Sequence, residues 1–219
     1  GYGVARMLHL IDYKTIKKNP KPLIGYSDVT ALLQSIFINT GLVGFHGPVG
    51  RSAWTDYAIE NFRAVVMEPQ DKYTIELSEA NQKMKDEVYR TYAITNGKAK
   101  GDLVGGNLSL LASLVGTPYE ISMKDKIVFI EEVGEEPYRI DRMLTQLTQS
   151  GNLKKAEAVA LGVFSGCDID PNDENADKSF RLKEVLEDRL SELGIPVIYG
   201  LSFGHIDNNA TIPIGIKAK

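Results

Sequence analysis

The chain has 219 residues, 43% hydrophobic and 25% charged, with a formal net charge of −4. That balance suits a globular chain long enough for one large or two small domains, and no Lys/Arg-rich block or basic aromatic stripe marks a nucleic-acid binder. A single cysteine, Cys167, excludes an internal disulfide and a cysteine-based metal cluster and suits a reducing compartment, while no apolar run reaches membrane-spanning length.

The opening GYGVARMLHLIDYKTIKKN reads as a glycine turn followed by one or two helical turns. There is no initiator methionine, and the closing TIPIGIKAK reads as a strand cut short, so both ends are expected to lie inside a longer protein. PLIGY is a buried strand. From 28 to 40, Ala31, Leu32, Leu33, Ile36 and Phe37 recur at helical spacing, and the helix stops near Gly41. LVGFHGPV is a second short strand, and SAWTDYAIENFRAVVM has helical periodicity. Strand–helix alternation over 1–67 predicts a parallel α/β layer and a first lobe.

Residues 68–100 change character. DKYTIELS and YRTYAITNGKAKG alternate like edge strands around the charged EANQKMKDE, which predicts an excursion linking two lobes. The second lobe, 101–219, begins with GDLVGGNLSLLASLVGTP, read as a glycine turn and an apolar helix. KIVFIEEVG is a buried strand, and PYRIDRMLTQLTQSG is an amphipathic helix with Pro137 near its start. AEAVALGVFSG is another buried strand, DIDPNDENADKS a polar loop, FRLKEVLEDRLSELG a helix ended by Gly194, and IPVIYGLSFGH the last strand.

Three polar features fall at or just past the ends of buried strands. Ser27 follows PLIGY, Glu131 and Glu132 end IVFIEE, and His205 follows IPVIYGLSFG. Catalytic groups in α/β folds collect at such ends, and serine, acid and histidine together would form a nucleophilic triad. Each also has a structural reading. Ser27 could be an N-cap, the glutamates a salt-bridge pair, and His205 a turn residue between Gly204 and Ile206. Gly25 suits a nucleophile elbow, although Val29 stands where a second glycine is usual. His46 in GFHGP is a rival base, and His9 in the first amphipathic segment is read as structural. The spacing of the His, Asp and Glu residues matches no metal motif such as HExxH.

The segments GYGVARML, NPKPLIGYSDVTAL, GLVGFHGP, LVGGNLSLLASLVGTPYE, IVFIEEVGEEPYRIDRMLTQL and GHIDNNATIPIG, in that order, resemble the serine LD-carboxypeptidase family. The resemblance implies an α/β fold with a Rossmann-like N-terminal lobe, incomplete here, and a C-terminal swivelling β/β/α lobe. It implies a metal-free, cofactor-free enzyme that removes the terminal D-alanine of muropeptide tetrapeptides in murein recycling. Ser27 matches the nucleophile, Glu131 rather than Glu132 the acid, and His205 the base. The implied oxyanion donors are the backbone N–H groups of Asp28 and Gly1. Asn107 and Tyr26 are the expected substrate-binding residues. A cytoplasmic homodimer with a muropeptide substrate, and with neither nucleic acid nor membrane as partner, is expected.

Two other functions compete. One branch of the family hydrolyses peptide–nucleotide antibiotics of the microcin C type, which calls for an aromatic platform under the base. The single tryptophan, Trp54, lies in the first lobe, and 68–100 offers only Tyr73, Tyr89 and Tyr92. A non-catalytic muropeptide-binding protein on the same scaffold is the second. A nucleotide-binding Rossmann domain is disfavoured, because LVGGNLSLL lacks both GxGxxG and a Walker lysine.

Overall fold

The computed structural model describes residues 1–170 and 176–219. Residues 171–175, part of the expected polar loop, lie outside the described residues. The chain opens with two short helices, α1 (Val4–Met7) and α2 (Tyr13–Lys18). Asp12 starts the second by accepting from the Lys14 and Thr15 N–H groups. Strand β1 (Ile24–Gly25) leads into helix α3 (Val29–Thr40), which ends where Gly41 adopts φ 74° and donates to Phe37. Strand β2 (Phe45–His46) lies parallel to β1. Helix α4 (Asp56–Phe62), capped by Thr55, runs on as a π-helical turn over Arg63–Met67.

The segment 68–100 departs from its expected form. DKYTIELS forms no strand, because its polar groups go elsewhere: the Glu76 carbonyl accepts from the Tyr57 hydroxyl, and the Ser78 N–H donates to Ser202 Oγ. A short helix α5 (Glu79–Gln82) follows. Strand β3 (Tyr92–Thr95) then joins the larger sheet.

That sheet is built from apolar runs. Strands β4 (Gly101–Asn107), β5 (Lys126–Val133), β6 (Ala158–Ser165) and β7 (Val197–Tyr199) are parallel neighbours. β3 edges β7, and β9 (Lys217–Ala218) edges β4, both antiparallel. Both faces of β5 are covered, which is why it reads as a continuous apolar run. Val128 and Ile130 pack with Ile140 and Leu144 of α7 (Pro137–Gln149) and with Val185 and Leu186 of α8 (Leu182–Ser191). Phe129, on the opposite face, packs with Leu33 of α3, Phe203 and Ile212.

The expected glycine turn at GDLVGG is instead strand β4, followed directly by helix α6 (Leu108–Ser113). Its glycines answer to close approach. A Cβ on Gly105 would stand 1.8 Å from the Phe129 carbonyl oxygen, and one on Gly106 would stand 2.4 Å from Thr30 Cγ2. Thr30 Oγ1 accepts from the Asn107 N–H and Gln34 Nε2 donates to the Gly105 carbonyl, so side chains of α3 dock on the backbone of β4. The last strand is shorter than expected because Gly200, at φ 83°, turns the chain against Arg90. TIPIGIKAK divides between sheets, with β8 (Ile212–Pro213) pairing antiparallel to β2 and β9 completing the larger sheet. Sheet membership therefore crosses the expected boundaries at 67/68 and 100/101.

Candidate active site

Ser27 sits between β1 and α3 at φ 60°, and only it and Asp125 among the described non-glycine residues have positive φ. Such a backbone costs about 1–3 kcal/mol and persists only where its surroundings impose it. Two features impose it here. The Tyr26 and Ser27 carbonyls accept from the Val29 and Thr30 N–H groups, closing the turn. Gly25 lets that turn press on the helix, since a Cβ there would meet Val29 Cγ1 at 2.6 Å. The capping reading of Ser27 does not hold: the N-cap of α3 is Asp28, with no side-chain cap bond. Asp28 Oδ2 instead accepts from the Val4 N–H at 3.1 Å. That contact ties the first glycine turn to the elbow, and Gly1 lies against Asp28, where an added Cβ would be 2.8 Å from the Asp28 Cβ.

The two glutamates at the end of β5 part company by strand alternation. Glu131 is fully buried, and its Oε2 lies 2.7 Å from His205 Nδ1. The loop beyond β7 presents that histidine. The Val163 N–H donates to the Phe203 carbonyl, the Gly204 N–H donates to Asn209 Oδ1, and the Ala210 N–H donates to the Ser202 carbonyl. Gly204, at φ 121°, passes so close over the carboxylate that a Cβ would be 3.3 Å from Glu131 Oε2. Glu132, on the other face, belongs to the scaffold. Its Oε1 accepts from Asn107 Nδ2 and the Val133 N–H, and its Oε2 from the Ser109 N–H and Oγ–H.

The Tyr26 ring, next to Ser27, meets the His205 ring edge-on at 4.8 Å between centroids. The Ser27 hydroxyl makes no hydrogen bond among the described residues, so histidine and carboxylate are joined directly while the serine is brought near through its neighbour. Asn107, the other expected substrate contact, is buried. It gives Nδ2 to Glu132 and accepts from the Leu110 N–H through Oδ1, which makes it the N-cap of α6.

The rival base is unsuited to proton transfer with solvent-borne substrate. His46 on β2 is completely buried, and burial lowers its pKa to about 4, against a partial opposing pull from Glu131. Sequence reasoning did not foresee the Asn209 and Ser109 supports. Asn107 before an apolar helix is an N-cap signal that puts Ser109 in the first turn of α6, and that signal could have revealed the second of them. Among the described residues, no group of three or more His, Cys, Asp or Glu side chains could hold a metal, and no helix is long and apolar enough to cross a membrane.

Comparison with known proteins adds the following. Residues 100–219 match the family described as LD-carboxypeptidase C-terminal domain, and residues 1–47 match its N-terminal domain. The probable murein peptide carboxypeptidase of Bacillus subtilis is 39% identical over all of this chain and 65% of its own length. The chain therefore spans just under two thirds of that relative. Among solved structures, muramoyltetrapeptide carboxypeptidase from Oxalobacter formigenes superposes with a TM-score of 0.78 at 31% identity, covering 99% of this chain and 70% of that one. MccF in complex with glutamyl sulfamoyl guanosine superposes with a TM-score of 0.83 at 26% identity, covering 99% and 69%.

Proposed function

Because the chain belongs to the LD-carboxypeptidase family, we propose that it carries the centre of a serine carboxypeptidase that releases the terminal D-alanine of muropeptide tetrapeptides. The observation that carries the reading is the buried Glu131–His205 pair at 2.7 Å beside the strained Ser27 elbow. A buried carboxylate on Nδ1 fixes the tautomer that leaves Nε2 free to act as a base, and it stabilises the imidazolium formed next.

In this reading His205 Nε2 takes the Ser27 hydroxyl proton as Oγ attacks the carbonyl preceding the terminal D-alanine. The tetrahedral oxyanion is held by the backbone N–H groups of Asp28 and Gly1, which the Asp28–Val4 bond keeps adjacent. Protonated His205 passes its proton to the alanine nitrogen, and the C–N bond breaks. A water, deprotonated by His205, then attacks the acyl-enzyme, and Ser27 leaves with its proton restored. Tyr26 supports the histidine ring and lines the approach. Asn107 acts at one remove, by holding Glu132 and the start of α6. The protein works without a cofactor, as a cytoplasmic homodimer in murein recycling.

The test is alanine release by the full-length protein from a tetrapeptide ending in D-alanine and from its L-alanine counterpart. A fixed nucleophile and fixed oxyanion donors accept a carbonyl from one face, so the D-peptide alone is expected to turn over. Comparable rates on both peptides, or activity that survives Ser27→Ala, would refute the reading.

A second reading has one observation in its favour, the higher TM-score to MccF. Hydrolysis of an aminoacyl sulfamoyl adenosine with no action on the tetrapeptide would establish it. The greater sequence identity to the murein carboxypeptidase favours the first.

A further inference from the structure

His46 has no place in the mechanism above, yet it lies at the centre of the groups that carry it. Its ring is met edge-on by Tyr26 at 6.1 Å, Phe129 at 5.4 Å and Phe203 at 6.2 Å between centroids. Tyr26 adjoins Ser27. Phe129 lies two residues before Glu131, on the same face of β5. Phe203 lies two residues before His205. The imidazole is therefore packed against the immediate support of all three proposed catalytic side chains.

An apolar residue would fill such a cage without penalty, whereas a histidine brings a donor and an acceptor. Among the described residues, neither His46 ring nitrogen has a hydrogen-bond partner, and the same holds for Glu131 Oε1, the oxygen that does not face His205, and for Thr211 Oγ1. All of these atoms are buried. Thr211 is adjacent to the His46 strand, because Ile212 pairs with His46 and a Cβ on Gly47 would be 2.9 Å from Thr211 Oγ1. Buried polar groups gathered in this way are satisfied by one another through a bound water.

We infer that His46 is a positioning residue, whose neutral imidazole donates toward Glu131 Oε1 through one internal water shared with Thr211 Oγ1. The inference rests on the proposed triad. Glu131 would otherwise be held at a single oxygen and free to rotate about its last side-chain bond. With Oε1 tethered, Oε2 stays aimed at His205 Nδ1. The charged and titratable groups facing His46 are Glu131 from β5, His205 from the loop beyond β7 and Tyr26 from the elbow. Its pKa of about 4 keeps it neutral, and so able to donate from one nitrogen and accept at the other, throughout the neutral range.

The experiment compares His46→Phe, His46→Asn, His46→Gln and Thr211→Val in the full-length protein on the D-alanine tetrapeptide. His46→Phe fills the aromatic cage and removes the donor. It is expected to keep the wild-type melting temperature at pH 7 and a KM within about two-fold, while kcat falls ten-fold or more. Either His46→Asn or His46→Gln, whichever carries its amide where the donating nitrogen lies, should recover most of that loss. Thr211→Val should lower kcat in the same direction by a smaller factor. Proton NMR of the imidazole N–H region reads the device without turnover. The wild-type His205 Nδ1–H is expected as a sharp downfield line, lost or broadened in His46→Phe. Unchanged kcat together with an unchanged NMR line in His46→Phe would overturn the inference. A loss that neither amide variant rescues would also overturn it. Inactivity of the wild type, with the line still dependent on His46, would instead refute the carboxypeptidase reading alone.

Discussion

Exchanging each adjacent glutamate for glutamine should separate catalysis from stability. In Glu132→Gln, one of two oxygens that together accept four hydrogen bonds becomes an NH2 group. At the Oε2 end the new donor faces the Ser109 N–H, and at the Oε1 end it faces the Val133 N–H. Either orientation forfeits about two charge-assisted bonds, each worth roughly 1.5 kcal/mol at the lower end of its range, so about 3 kcal/mol is lost. For a chain of this size each kcal/mol moves Tm by about 2–4 °C, which gives a fall of roughly 6–12 °C. Glu131→Gln forfeits little, because Glu131 makes one direct bond among the described residues, to His205, and a glutamine oxygen can still accept from the proposed water. Its Tm should stay within a few degrees of wild type. An amide on Nδ1 no longer fixes the tautomer or stabilises the imidazolium, and kcat should fall by about 10³–10⁴-fold. Differential scanning calorimetry and tetrapeptide kinetics on the two full-length variants decide the matter. A Glu131→Gln protein that keeps its kcat, or a Glu132→Gln protein that keeps its Tm and loses its activity, would refute the assignment.

Gly204→Ala adds a Cβ 3.0 Å from the Val163 carbonyl oxygen at φ 121°; urea unfolding should show a loss of about 1–3 kcal/mol, and kcat should fall further as the His205 loop lifts from Glu131. Gly105→Ala places a methyl inside the Phe129 carbonyl and should cost more than about 4 kcal/mol, read as loss of soluble full-length protein. Acid sensitivity follows from His46. Its folded pKa lies below the unfolded value of 6.5, so the unfolded chain binds the extra proton, and stability present above pH 6.5 drains away as pH falls toward 4. The shift amounts to about 3 kcal/mol. His46→Phe should therefore flatten the unfolding free energy between pH 7 and pH 4, and parallel wild-type and variant curves would count against the buried neutral imidazole.

Much of this was legible because the elements around the site follow simple rules. The α3 helix, its stop at Gly41, the apolar β5 and β6 and the Pro137 start of α7 all follow from periodicity and end signals, and β1 and β2 are parallel as alternation over 1–67 predicts. What escaped depended on partners distant in sequence. GDLVGG reads locally as a turn, and only the nearness of Phe129 and Thr30 shows that its glycines make room inside a sheet. DKYTIELS alternates like a strand, yet its carbonyls and amides are claimed by Tyr57 and Ser202. The glutamate pair could not be separated from composition, since both are buried and differ only in which face of β5 they leave from. The elbow reads equally as a cap in sequence, because the bond from the Val4 N–H to the Asp28 side chain joins residues 24 positions apart.

The pairing of β8 with β2 has a consequence for how the protein is made. The strand that flanks β1 finds its second neighbour only when residues 212–213 arrive, long after β2 itself. His205 is likewise supplied 74 residues after Glu131. A chain emerging from the ribosome can fold helix α3 and strands β4 to β6 while Glu131 still lacks His205. Assembly of the proposed centre thus waits for residues 205–213. Under the proposed mechanism, a product ending before His205 would be inert toward peptides rather than loosely active. Splitting the gene at the apparent junction between halves would leave each fragment holding an open sheet edge that only the other can close.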